Sequence, residues 1–386
     1  MKILYHHRIG SRDGQFIHVE SMIKSLKELD HEVHVVGPDI ESQPVGRQAG
    51  IVKSARQMLP MSAAESAELA YSGPAYLRLR RAIEYFKPDV IYERYNLFFP
   101  AGIWAARQCG LPILVEVNAP LAYERTQHGG LSLRRIAEWS ERYVWSNADH
   151  VFCVTQVLAK FVADRGVPAS RITVTQNGVD LEETARAPSS DVAKKRLGLA
   201  DKTVLGFVGF VRSWHGLEQV VDFLSRSRDR SLHLVVVGDG PALPELREQA
   251  RRLGIADQLS TVGAVSHDKV IQFVAAFDIA LQPRAVEYCS PLKVFEYMAL
   301  GKAIVAPRQP NICEILRHEE DALLFEPVAW GSFALALDRL IKDVTLRKSI
   351  GMAARQTLRE REYTWAKNAR VISDVAGSVL TSRHAS

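Results

Sequence analysis

The sequence predicts an α/β protein built from two doubly wound, parallel-sheet domains. Short apolar runs alternate with helical patterns along the chain. That rhythm breaks near residues 181–200 and then restarts. The 386 residues also exceed what one hydrophobic core usually serves, and suit two domains of ~150–200 residues.

Taken in order, Lys2–His7 reads as a strand, His18–Leu29 as a helix and Glu32–Gly37 as a second strand. Residues 40–83 depart from the alternation. Strands at 90–92 and 113–117 then flank a helix near 99–109. A long amphipathic helix is expected from Ser132 to Ser146. Strands at 151–154 and 172–174 flank a helix near 156–165. Beyond the break, strands are expected at 204–209, 232–238, 259–262, 279–283, 303–306 and 323–325, and residues 330–381 are mostly helical by pattern. The expected divisions are an N-terminal domain of 1–182, a linker of 183–200, a C-terminal domain of 201–362 and a final helix of 363–386. Two such domains offer a cleft at the carboxyl ends of their strands, where open α/β sheets bind ligands.

The most informative stretch is Ser290-Pro291-Leu292-Lys293-Val294-Phe295-Glu296, after the apolar run Ile279–Pro283. Ser290 suits a helix N-cap and Pro291 the first helical position. Such a start leaves the amides of Leu292 and Lys293 aimed where the helix dipole attracts anions. Lys293 adds a full charge, and Glu296 lies one turn along the same face. This suits a nucleotide, with phosphates on the amides and lysine and ribose hydroxyls on the carboxylate. An ordinary capped helix remains the plain alternative.

Composition narrows the classes. Net charge is +5 and evenly spread: residues 1–180 hold 21 Lys+Arg against 19 Asp+Glu, and the rest 28 against 25. Neither half is a basic nucleic-acid domain. No apolar run approaches the ~20 residues of a membrane span. Cys109, Cys153, Cys289 and Cys313 are widely spaced, which reads as reduced thiols in a cytoplasmic protein. The loop after the first strand, Arg8–Gly14, does not give G-x-G-x-x-G, and no G-x-x-x-x-G-K-[ST] occurs, so hydride transfer and NTP hydrolysis lack their usual motifs.

Five motifs in order resemble one family: Asn177-Gly178-Val179-Asp180, Gly209 through Trp214-His215-Gly216, Val237–Pro241, Phe277–Pro283 and Ser290–Ala299. The chain resembles the retaining glycosyltransferases of family 4, with the GT-B fold of two Rossmann-like domains facing a central cleft. The combination of Trp-His-Gly, Ser-Pro-Leu-Lys and Glu116-x-Asn118-Ala-Pro is similar to a polysaccharide-building subset. The resemblance implies a nucleotide-sugar donor, UDP- or GDP-linked, held by the C-terminal domain. It implies a glycan or lipid-linked acceptor held mainly by the N-terminal domain, with no metal and no other cofactor, and a C-terminal helix near Trp365 that crosses back to that domain.

Residue by residue, it implies donor contacts from Glu296, Ser290, Pro291, Leu292, Gly263, Val265 and Gly14. Lys293, Arg212, His215 and Glu287 are the implied catalytic groups, stabilising charge on the departing diphosphate or touching the sugar. Glu116, Asn118, Glu124 and Asp13 are the candidate acceptor contacts. Several positions depart from the family pattern. The first glutamate of the usual pair falls at Tyr288, with Glu287 one place earlier. Phe210 follows Gly209 where arginine is common, and His215 stands for a lysine. A protonated His215 on a diphosphate is expected to titrate above ~6.5.

Residues 42–83 interleave Arg47, Lys53, Arg56, Arg78, Arg80 and Arg81 with Leu59, Met61, Tyr71, Tyr76, Leu77 and Leu79. This reads either as a surface for anionic membrane or a lipid-diphosphate acceptor, at the inner face of the membrane, or as a solvated helical excursion. An epimerase of the same fold and a non-catalytic nucleotide-sugar binder are the rival readings; a nucleic-acid partner is not expected.

Overall fold

The computed structural model describes residues 1–10, 14–38, 59–128 and 130–384. They form two compact units. The first comprises Met1–Gln176, Tyr288–Ser290 and Trp365–Ser386; the second comprises Asn177–Glu287 and Pro291–Thr364.

The first unit holds a six-stranded sheet in the order β2-β1-β3-β4-β5-β6. Its strands are β1 (Lys2–His6), β2 (Glu32–Val36), β3 (Val90–Arg94), β4 (Ile113–Val117), β5 (His150–Cys153) and β6 (Ile172–Val174), all paired in parallel. Every residue of β3 and β4 is buried, as both faces are covered by helices. The helix Arg134–Asn147 turns Ala137, Val144 and Trp145 into this core. It begins two residues later than its periodicity predicts, because the buried Glu65 carboxylate accepts the amides of Ser132 (3.0 Å) and Leu133 (2.6 Å) and so caps it from another helix. Glu65 belongs to the pair Met61–Ala70 and Ser72–Phe86, the described part of the irregular 40–83 stretch. Ala64, Ala75, Leu79 and Ile83 of that pair are buried, while Leu59, Met61, Tyr71 and Leu77 are exposed. Arg47, Lys53 and Arg56 lie outside the described residues.

The second unit repeats the architecture in the order β12-β11-β10-β7-β8-β9. Its strands are β7 (Thr203–Val208), β8 (Leu232–Val237), β9 (Leu259–Gly263), β10 (Ile279–Leu281), β11 (Ala303–Pro307) and β12 (Leu323–Phe325), again parallel.

The unit boundaries differ from the sequence expectation. The stretch 183–200 is not an open tether. Helices Leu181–Ala185 and Ser190–Arg196 form there and belong to the second unit. The Asp180 carboxylate caps the first of them through the amides of Glu182 and Glu183. Ala193 packs with Ala275 and Ala276, and Lys194 Nζ lies 2.5 Å from Asp278. The polar Pro188-Ser189-Ser190 break is thus a helix start. The division falls at Gln176/Asn177, and again at Thr364/Trp365, so the helix Trp365–His384 is part of the first unit. It packs on the helix Gly14–Glu28, with the Trp365 ring edge-on to His18 at 4.8 Å.

Candidate active site

In the second unit, Pro291, Leu292, Glu296, Gly263 and Val265 of the expected donor residues lie toward the carboxyl edge of the sheet, while Ser290 and Gly14 belong to the first unit. The helix Leu292–Ala299 follows β10, and its cap is Pro291 rather than Ser290. Ser290 does not cap, because its hydroxyl donates instead to Gln176 Oε1 at 3.0 Å. The amides of Leu292 and Lys293 still open the helix, as expected. The Lys293 side chain runs back over β7, with Nζ 3.9 Å from the centre of the Phe207 ring. A Cβ built on Gly209 would lie 3.1 Å from that Nζ, so the glycine leaves room for the ammonium at the strand end.

The surroundings of His215 disfavour the cation expected. Its ring is buried, and Nδ1 accepts the amide of Arg212 at 3.1 Å. Burial first, then the charges of Lys293 and Arg212, push its pKa down to about 3. It is a neutral residue that holds the turn 212–215. Arg212 is exposed, with its guanidinium 5.2 Å from the Phe210 ring. Sequence reasoning missed Arg284. It is exposed on the segment after β10, and its Nε would lie 3.3 Å from a Cβ on Gly216. It therefore covers the very turn where a lysine was expected, and no motif in its neighbourhood singled it out. Glu287 is exposed. The segment before it is held by Gln282 to the Arg284 carbonyl, Gln309 to the Ala285 carbonyl (3.1 Å) and Asn311 to the Val286 carbonyl (3.0 Å).

Glu296 is buried one turn beyond Lys293, and its Oε2 has no hydrogen-bond partner. Its pKa is raised, chiefly by burial, with the nearby His267 opposing. The His267 ring was another residue not singled out. It sits between two carboxylates, with Nδ1 3.6 Å from Glu296 Oε1 and Nε2 3.5 Å from Glu183 Oε2. His267 opens the helix after β9, just beyond Gly263 and Val265. Gly263 ends β9 at a positive φ, and its carbonyl accepts the Gly238 amide at 2.9 Å. Val265 is half-buried against the core.

In the first unit, Glu116 is a buried hub whose carboxylate is bonded within the protein. Oε1 accepts from Arg94 (2.8 Å) and Asn118, and Oε2 from Tyr92 (2.7 Å) with His18 at 2.9 Å. Burial raises its pKa, but the cationic and hydrogen-bonding partners outweigh it, and the carboxyl titrates far below the usual range. Asn118 spends its amide on this carboxylate. Glu124 is half-exposed and bonds the Tyr288 phenol, whose pKa rises through burial and then the charge of Glu124. The Tyr288 carbonyl also accepts from Thr155 at 3.0 Å. Gly14 is exposed at the start of its helix, and Asp13 lies outside the described residues. Among the described residues, no group of three or more His, Cys, Asp or Glu is placed to hold a metal ion, and no helix is long and apolar enough to cross a membrane.

Two families of sequence match the two units. Residues 12–183 match Glycosyltransferase Family 4, and residues 189–357 match Glycosyl transferases group 1. The D-inositol 3-phosphate glycosyltransferase of Acidothermus cellulolyticus is 30% identical over 318 residues, 76% of this chain and 68% of that protein. The alpha-D-kanosaminyltransferase of Streptomyces kanamyceticus is 23% identical over 63% of this chain; the match spans 64% of that protein, just under two thirds of its length. Anabaena HepE, solved in complex with UDP-glucose, superposes with a TM-score of 0.74 at 19% identity, covering 98% of this chain and 100% of HepE. The architecture is the GT-B fold. The chain belongs to glycosyltransferase family 4.

Proposed function

We propose that the protein is a retaining hexosyltransferase. It takes a hexose from a UDP- or GDP-sugar and passes it to a glycan or lipid-linked acceptor, in the assembly of a polysaccharide or cell-surface glycan. The observation that carries this reading is the pairing of the Lys293 ammonium and helix start with the buried Glu296 carboxylate, one turn apart at the carboxyl edge of the second sheet. Phosphates suit the first and ribose hydroxyls the second. Glu296 Oε2 is buried without a partner, which a ribose hydroxyl donor would relieve.

In this reading the bond from the anomeric carbon to the diphosphate oxygen breaks, and negative charge grows on the leaving group. Lys293 and the amides of Leu292 and Lys293 stabilise that charge more in the transition state than in the ground state. Arg212, and Arg284 at the Gly216 turn, add positive charge that the neutral His215 does not supply. The acceptor hydroxyl attacks from the leaving-group face and gives its proton to the departing diphosphate, which preserves the anomeric configuration. UDP-glucose is the first donor to try, since a fold neighbour was solved with it. Exposed Met61 and Leu77 lie on helices that also carry Arg78 and Arg81, which supports a peripheral hold on anionic membrane.

The test is thermal unfolding with UDP, GDP, ADP and their sugars. A ligand that binds only the native state at ~100 times its Kd adds about 2.7 kcal/mol. Saturable stabilisation by one nucleotide, followed by sugar transfer with that donor, is expected. No response to any of them at high excess overturns the reading of Lys293 and Glu296.

A further inference from the structure

Three arginines of the first unit come together from separate elements at the carboxyl edge of its sheet. Arg8 follows β1, Arg78 lies on the helix Ser72–Phe86, and Arg125 lies on the helix Leu121–His128 after β4. Arg8 and Arg78 meet at Tyr71, and the charges of Arg125 and Arg78 both bear on Arg8. The Arg8 guanidinium lies 4.7 Å from the Tyr71 ring and 4.4 Å from the Phe99 ring, and those rings stack on each other at 6.2 Å. Arg78 lies 5.2 Å from Tyr71 and donates to its phenol oxygen. Arg125 Nη1 is 2.8 Å from Glu68 Oε2.

The charge does not balance. Glu68 pairs with Arg125 and its charge bears on Arg8, so three guanidinium groups against this carboxylate leave +2 among the described residues. Arg8 carries most of the argument. It is partly buried, it stays charged, and among the described residues it makes no hydrogen bond or ion pair. Rings that cover a guanidinium face leave its edge N–H groups free to grip an anion in two-point fashion. Holding a half-buried cation in place without an anion is costly, and a bound anion relieves that cost.

We propose that Arg8, Arg78 and Arg125 form a site for a phosphate group on the acceptor substrate. The surplus of two positive charges matches a phosphate dianion or a diphosphate better than a single carboxylate. The site lies at the edge where β1, β3 and β4 end, and Glu124 stands one residue before Arg125. The proposal rests on the glycosyltransferase reading for the word acceptor, but not for the anion site itself.

The experiment titrates the full chain with inorganic phosphate at constant ionic strength, with and without saturating UDP, following unfolding temperature and heat of binding. Phosphate is expected to bind and stabilise even with UDP present. Arg8→Gln and Arg78→Gln are each expected to weaken it about tenfold or more, the order of a lost charge-assisted bond. Arg8→Lys should fall between, because an ammonium keeps the charge and loses the fork. Arg78 is exposed, so its variant keeps the test valid if Arg8→Gln folds poorly. Equal phosphate affinity in wild type, Arg8→Lys and Arg78→Gln overturns the proposal. So does phosphate binding that UDP or Lys293→Ala abolishes, which would put the anion at the other unit. Arginine-dependent phosphate binding in a protein that ignores every nucleotide would uphold the anion site while sinking the glycosyltransferase reading. Flotation with phosphatidylcholine vesicles, with and without phosphatidylglycerol, assigns the source. Flotation lost in Arg78→Gln places the phosphate on lipid, and phosphate binding without flotation places it on a soluble acceptor.

Discussion

A positive imidazole at position 215 would stand against Lys293 and Arg212, and burial already disfavours it. The expected pH profile of kcat/KM therefore has no limb near pH ~6.5 that belongs to His215. Wild type and His215→Gln should share one profile shape; a limb present in wild type and missing in the variant would restore the cationic role. Lys293→Ala is expected to lower kcat by about 100-fold or more, the loss typical of an electrostatic stabiliser, with the fold intact. Turnover near wild type would remove Lys293 from the mechanism. Glu116 gives the contrasting case. Glu116→Gln leaves Arg94 buried with its carboxylate gone. A loss of about 3–5 kcal/mol in urea unfolding is expected. A variant as stable as wild type, with only KM raised, would return Glu116 to the acceptor. The sequence made Lys293 and Glu296 legible because both lie within one turn of a recognisable helix start. It could not show that Glu116 is spent on His18, 98 residues away, or that Arg284 covers Gly216, since those pairs exist only after folding.

The helix that carries Lys293 is held by another element whose role no motif announces. The helix Val344–Glu360 packs on Leu292–Ala299 and on β11. A Cβ on Gly351 would lie 2.2 Å from the Gly301 carbonyl oxygen and 3.3 Å from the Ala303 amide. Those are backbone atoms, so the helix must move. Gly351→Ala is expected to cost about 1–3 kcal/mol, as overpacking does, and to weaken nucleotide binding by shifting the Lys293 helix. An unchanged unfolding temperature would show that the contact is soft. Element positions were largely legible: Ile113–Val117, Ile172–Val174 and Leu323–Phe325 end where the apolar runs end. Ile113–Val117 and Leu323–Phe325 are buried throughout, and each of the three runs ends at a polar residue, so period and length agree. Helix ends were less legible when a distant group set them. Glu65 starts the helix at Arg134, and Gln176 draws Ser290 away from its cap. The break at 183–200 misled because cap chemistry and linker chemistry use the same residues, Pro188 and Ser189 among them.

Each unit also buries a histidine that burial keeps neutral, and both contribute to the acid response of the molecule. His7 in the first unit is pushed down to about 4, chiefly by burial and then by His6 and Arg94. His215 in the second falls to about 3. The unfolded chain binds both protons near pH ~6.5, while the native chain refuses them until more acid conditions. Their share of stability is thus complete above pH ~6.5 and is lost as pH falls, with an upper slope of ~1.4 kcal/mol per pH unit for each. Glu141 opposes this. Burial first raises its pKa to about 7, so its native proton favours folding as pH drops from 7 toward its unfolded value. Glu296, also raised by burial, opposes likewise, but His150 and His233 are lowered by burial as His7 and His215 are, so the histidines outnumber the carboxyls and urea midpoints are expected to fall between about pH 6.5 and 5. His7→Gln should flatten the response of the first unit and His215→Gln that of the second. If unfolding separates into two steps, UDP should raise only the step that His215→Gln alters, because Lys293 and His215 share that unit. A single step that both variants flatten equally would mean that the units unfold as one cooperative body, and that acid and nucleotide act on the whole chain.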